Sequence, residues 1–85
     1  MKIIYFHTCC SRYSKSMKDL IQRFCSENSL DYEIFDCDED PDVMSDYNVY
    51  GNPPAFLVLS ESGRRIATHK GKFTEEDLKK ILTNT

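Results

Sequence analysis

Cysteine is the most reactive residue type in this 85-residue chain, and two of its four cysteines are adjacent, in the stretch His7-Thr8-Cys9-Cys10-Ser11-Arg12-Tyr13. A thiol reacts as its thiolate, and the thiolate is favoured at a helix N-terminus or beside a cation. The apolar spacing that starts at Tyr13 predicts a helix capped near Ser11, with Cys10 at its start and Arg12 close by. A thiolate there can attack a disulfide and form a mixed disulfide with one thiol alone; releasing the product takes another thiol. Cys9 has three readings. It resolves by closing a strained eight-membered vicinal ring with Cys10, it is a spare exposed thiol, or it is itself the nucleophile if the helix starts one residue early. Cys25 falls on the apolar stripe of the helix and reads as core. Cys37 ends a predicted strand, and neither its role nor a Cys25–Cys37 bridge is decided by spacing.

Other constellations give weaker signals. Asp36-x-Asp38-x-Asp40 opens like an EF-hand loop, but Pro41 stands where glycine is needed and Tyr47 where glutamate is needed. Those acids read as a solvated strand-to-helix turn. The cysteines and the two histidines offer no Cys-x₂₋₄-Cys pair, so no metal site is expected. His7 can assist proton transfer, although a histidine at a strand end more often serves structure.

The elements that must position these residues follow from hydropathy. Residues 2–6 (KIIYF) form a short apolar run that suits a buried strand. Tyr13, Met17, Leu20, Ile21, Phe24 and Cys25 recur at helical spacing, with Lys15, Lys18, Asp19, Gln22 and Arg23 on the opposite face, and the helix ends around residues 26–29. A second strand carries Tyr32 and Ile34. Asp40-Pro41 predicts a short helix over about 41–47, with Asp40 as N-cap. Gly51-Asn52-Pro53-Pro54 breaks the chain before Ala55–Leu59, the most apolar run and a central strand. A turn at Gly63 returns residues 64–69 as a hairpin partner. Thr74 caps the last helix, whose first turn holds three acids and whose Leu78, Ile81 and Leu82 face the core. The order is β-α-β-α-β-β-α, and the first crossover must be right-handed. The expected fold is α/β: a four-stranded mixed sheet flanked by three helices, in one domain over residues 1–85.

Composition narrows the partners. Hydrophobic residues make up 40% of the chain and the net charge is −3, which excludes a basic nucleic-acid footprint. The apolar run after Lys2 is too short for a signal peptide or a membrane span. The chain is therefore expected to be cytoplasmic, where cysteines serve redox or metal chemistry more often than structural cross-links.

The segment from Tyr32 to Pro54, YEIFDCDEDPDVMSDYNVYGNPP, resembles the thioredoxin stretch from the second strand to the cis-proline. Asp38, Pro41 and the run Tyr47-x-Val49-x-Gly51-x-Pro53 carry the likeness. Gly63, Gly71 and Lys70-x-Lys72-x-Thr74 extend it to the C-terminal part. The front end, KIIYFHTCCSRY, resembles small archaeal-type thioredoxins and glutaredoxins, and the likeness spans essentially the whole chain. It implies the thioredoxin fold, with Cys10 as nucleophile and Pro53 as the cis-proline; Pro54 is the competing candidate. It also implies that the Asn52 backbone pairs with an extended substrate peptide and that Gly71 completes the groove rim.

The departures from that family are equally specific. Tyr13 stands in place of the resolving cysteine of Cys-x-x-Cys, and either donates a hydrogen bond to the Cys10 thiolate or fills space. Ile4 replaces the buried acid of the first strand, Lys18 the helix-kinking proline, and Cys9 the tryptophan. The expectation is a disulfide oxidoreductase acting through a single cysteine, in electron transport and cell redox homeostasis. No bound cofactor is expected; glutathione or a neighbouring thiol resolves. Expected partners are protein or small-molecule disulfides and a thioredoxin-reductase-type or glutathione recycling system, with no nucleic acid, no membrane and a monomeric chain. An iron–sulfur role like that of monothiol glutaredoxins is disfavoured, since Asn-Pro-Pro replaces their Thr-Val-Pro. The alternative is a redox-inactive binding module that holds a partner in the Asn52–Pro53 groove.

Overall fold

A computed structural model describes residues 1–9, 11–51 and 53–83. Their elements run β1 (Lys2–His7), α1 (Ser14–Glu27), β2 (Asp31–Asp36), α2 (Val43–Asp46), β3 (Ala55–Leu59), β4 (Arg65–Lys70) and α3 (Glu75–Thr83). The four strands form one sheet in the order β2-β1-β3-β4. β1 pairs with β2 in parallel, and the other two pairings are antiparallel. The element order and the mixed sheet are those expected from the hydropathy pattern.

β1 and β3 are apolar on both faces because both faces are covered. Side chains alternate across a strand, so Ile3, Tyr5, Phe56 and Val58 point to one side and Ile4, Phe6, Ala55 and Leu57 to the other. The first set packs with Met17, Ile21, Phe24 and Cys25 of α1 and Leu78 of α3. The second packs with Val43 and Met44 of α2 and with Val49. Cys25 and Cys37 belong to these two opposite layers, which rules out a bridge between them. Burying each large apolar side chain stabilises the fold by roughly 1.5–3 kcal/mol.

α1 and α2 both begin later than their sequence signals suggest. Ser14 N–H reaches Ser11 O at 3.4 Å, an i→i−3 turn bond, and the first i→i−4 bond is Met17 N–H to Tyr13 O at 2.9 Å. Tyr13, not Ser11, is thus the N-cap position, and it supplies no side-chain cap. In the same way Val43 N–H closes a turn on Asp40 O at 3.2 Å, and Asp42 O takes the first helical bond, from Asp46 N–H at 3.0 Å. α2 is therefore four residues long with Asp42 as N-cap, not a helix from Pro41.

The other helix ends behave as local chemistry predicts. α1 stops where Ser29 adopts φ 55°, and Leu30 N–H bonds Cys25 O at 2.8 Å, closing the 6→1 bond of a left-handed C-terminal cap. At α3 the Thr74 hydroxyl accepts Asp77 N–H at 3.3 Å while Asp77 Oδ2 accepts Thr74 N–H at 2.8 Å, a reciprocal capping box. Among the described residues no helix is long and apolar enough to cross a membrane.

Candidate active site

Parallel pairing of β1 and β2 brings the two loops that follow them to the same edge of the sheet. Cys37 N–H donates to His7 O at 2.9 Å, one step beyond the strand ladder. Asp38 then fastens the loops together: its Oδ1 accepts the Thr8 hydroxyl at 2.9 Å and its Oδ2 accepts Cys9 N–H at 2.7 Å. The Cys9 backbone bond first, then bonds from the Cys9 and Thr8 side chains, hold the Asp38 carboxyl below the usual carboxylate range. Asp38 N–H in turn bonds Asp36 Oδ1 at 2.9 Å, so one member of the acidic run orients the next.

Beneath the thiol turn lies a buried polar knot centred on Ser14, which is fully buried. Its hydroxyl accepts Thr8 N–H at 3.1 Å and lies 2.9 Å from His7 Nδ1 and 3.1 Å from Tyr5 OH. Tyr5 OH also donates to Ser14 O at 2.8 Å. With that proton on the carbonyl, Ser14 Oγ either donates to a bare His7 Nδ1 or accepts Nδ1–H and donates to the Tyr5 oxygen. Each arrangement satisfies every atom. Burial pushes the Tyr5 phenol up to about 12, against the opposing effect of its bond to Ser14. His7 thus ties β1 to α1. Ser14→Ala removes the hub and leaves Thr8 N–H without this acceptor. The expected loss is about 1–3 kcal/mol, read as a lower urea midpoint.

Across from the thiol turn lies the proline loop. An open groove of about 560 Å³ runs between them, lined on one side by Thr8 and Ser11 and on the other by Tyr50, Gly51 and Pro53, with Cys37, Asp38 and Met44 between. Gly51 has φ +115° and Gly71 φ +83°, backbone states that favour glycine. Gly71 N–H donates to Pro54 O at 2.8 Å, which joins the end of β4 to the proline loop. A cis peptide bond joins Pro53 and Pro54, the competing candidate; the Asn52–Pro53 bond assigned from the resemblance lies outside the described residues. Both prolines follow residues whose X–Pro bond admits cis, so spacing does not choose between them.

The sequence-derived site residues divide as follows. Cys9 is exposed and anchored to Asp38 through its N–H. Arg12 is exposed in the turn before α1. Tyr13 is 37% exposed, so it does not fill the core in place of a thiol. Pro53 lines the groove, and Gly71 is tied to the proline loop through Pro54 O. Cys10 and Asn52 lie outside the described residues. Ser14 carried no signal of its own in the sequence, and Asp38 read only as one acid of a solvated turn and as part of the family likeness. A buried tyrosine at residue 5 was the available signal for Ser14, since a buried phenol needs a partner.

The remaining thiols sit where burial keeps them protonated. Cys25 is raised from 9.0 to about 11 by burial, then by Asp31. Cys37 is raised to about 11 by burial, then by Asp36, Asp38 and Asp40. Unfolded thiols lose protons near pH 9 while the folded ones keep theirs, so the unfolded state binds fewer protons and stability falls as pH rises. The contribution is whole below pH 9.0 and is lost by about pH 11, with Tyr5 extending the decline to about 12. The urea midpoint is expected to drop across that window, and Cys37→Ser to shrink the drop; a flat profile contradicts this.

No protein-family model matches the sequence, and no curated protein does. Solved structures do match, and they define the class: the chain has the thioredoxin fold. Thioredoxin 1 of the thermophilic eubacterium Thermosipho africanus TCF52B superposes with a TM-score of 0.85 at 23% identity, covering 99% of this chain and 92% of that one. Fasciola hepatica thioredoxin gives a TM-score of 0.80 at 15% identity, over 98% of this chain and 78% of its own. The germline-specific thioredoxin Deadhead of Drosophila melanogaster gives 0.73 at 19%, over 98% and 78%.

Proposed function

We propose that the protein exchanges thiols with disulfides through the Cys9–Cys10 turn. One observation carries this reading. A turn with adjacent cysteines and a proline loop face each other across an open groove, at the strand ends of a thioredoxin fold. Cys10 attacks one sulfur of a substrate disulfide; the S–S bond breaks, the electron pair leaves with the departing thiolate, and a mixed disulfide forms. Arg12 favours the attacking thiolate. A substrate segment in extended form lies along the groove against residues 51–53, with Gly71 at the rim. With Tyr13 at the usual resolving position, release takes a thiol from elsewhere, glutathione or another cysteine. Expected substrates are protein or small-molecule disulfides, recycled by a thioredoxin-reductase-type or glutathione system in a reducing compartment such as the cytoplasm, as part of cell redox homeostasis. Reduction of a small aromatic disulfide, in the presence and absence of glutathione, tests the reading. No reaction at the turn leaves a groove that only binds.

A further inference from the structure

We propose that Cys37 is the internal resolving thiol of the Cys9–Cys10 turn, supplied from the β2–α2 loop instead of from α1. This rests on the exchange reading above. The argument is geometric. His7 and Asp36 are register partners at the end of the parallel pair, and the Cys37 N–H to His7 O bond of 2.9 Å carries the pairing one step further. Thr8 and Cys37 are therefore next in register, and adjacent strands lie about 4.8 Å apart. The following pair, Cys9 and Asp38, is joined at 2.7 Å from N–H to carboxylate. Cys37 thus stands next in register to Thr8 and one residue from the clamp on Cys9 N–H, and the spacing of adjacent strands falls in the range of roughly 4.4–6.8 Å between Cα atoms that a disulfide accepts. Its side chain is half-buried and lines the same groove as Thr8 and Ser11. Cys25 is on the far side of the sheet and takes no part.

The chemistry balances without a further reagent. After the first attack a turn sulfur carries the substrate fragment R–S. The Cys37 sulfur attacks that turn sulfur, a bond forms between them, the bond to R–S breaks, and the Cys37 proton goes to the departing thiolate. One substrate disulfide gains two electrons and becomes two thiols; Cys37 and the turn cysteine lose two and become a disulfide. A protonated Cys37, raised by burial and the neighbouring acids, waits for this second step and does not compete for the first.

The test uses the reduced full-length chain and a small aromatic disulfide with no other thiol present. The wild type is expected to release two aromatic thiols per chain and to keep no adduct. Tryptic peptides 3–12, which holds the turn, and 24–64, which holds Cys25 and Cys37, should then be cross-linked, with fragmentation placing the bond on Cys37. Cys37→Ser should release one thiol and keep one aromatic group on the turn. A wild type that keeps the adduct as the variant does, or that closes Cys9–Cys10 within one peptide, overturns the inference and leaves the exchange reading standing. A turn that takes up no aromatic group overturns both. Circular dichroism of Cys37→Ser confirms that the variant is folded.

Discussion

Replacing Cys10 by serine is expected to lower disulfide reduction by about a hundredfold or more, because a hydroxyl at neutral pH offers no comparable nucleophile. The loss should appear in the first attack, as failure to form the mixed disulfide, and not in folding. The surroundings of the turn make this specific. Asp38 holds Cys9 N–H and the Thr8 hydroxyl, and Ser14 holds Thr8 N–H, so the segment leading into Cys10 is fixed from two sides. Serine differs from cysteine by one atom and disturbs neither anchor. Cys9→Ser keeps the Cys9 N–H to Asp38 bond, which is a backbone bond, and is expected to keep most of the activity. If Cys9→Ser is the variant that loses activity and Cys10→Ser keeps it, the nucleophile is Cys9.

Phe56→Ala is expected to cost about 3–5 kcal/mol, the usual loss for a buried phenylalanine. Phe56 is fully buried in β3, paired with Tyr5 of β1 and His69 of β4. Its ring meets Phe73 edge-on at 4.7 Å and stacks on His69 at 5.4 Å. Phe73 also lies 6.3 Å from Tyr5, so the deletion reaches the strand that carries Ser14's partner. Domains are stable by about 0.05–0.15 kcal/mol per residue, so a loss of this size takes roughly a quarter or more of the stability of a small chain. Urea denaturation followed by circular dichroism should show a strongly lowered midpoint with the slope unchanged. Tyr50→Ala is the contrast: Tyr50 is 63% exposed, and its removal should change stability by less than about 0.5 kcal/mol while altering the groove wall.

The elements were legible wherever their signals are local. The doubly apolar runs at residues 2–6 and 55–59 identify strands covered on both faces, and Thr74 with Asp77 caps α3 as its spacing suggests. The late start of α1 was not legible, because Ser14's hydroxyl is committed to Thr8, His7 and Tyr5, which lie on another element. The same holds for Asp38: in the sequence it is one acid in a solvated run, and only the parallel register of β1 and β2 brings it onto Cys9. The proline loop was recognisable from Gly51 and the prolines, and its Pro53–Pro54 bond is cis. Cys37 shows the limit most clearly. Nothing in its spacing sets it beside the thiol turn, and the sheet brings it next in register to Thr8.

The most direct test is alkylation of each cysteine as a function of pH, mapped by mass spectrometry, together with trapping of mixed disulfides in Cys37→Ser. Exchange at the turn predicts that Cys10 reacts fastest, with a midpoint below the ordinary thiol value of about 8.5, and that substrate disulfides are captured there while Cys25 and Cys37 react only at alkaline pH. A Cys10 that titrates near 8.5, reacts no faster than a free thiol and traps nothing contradicts the account.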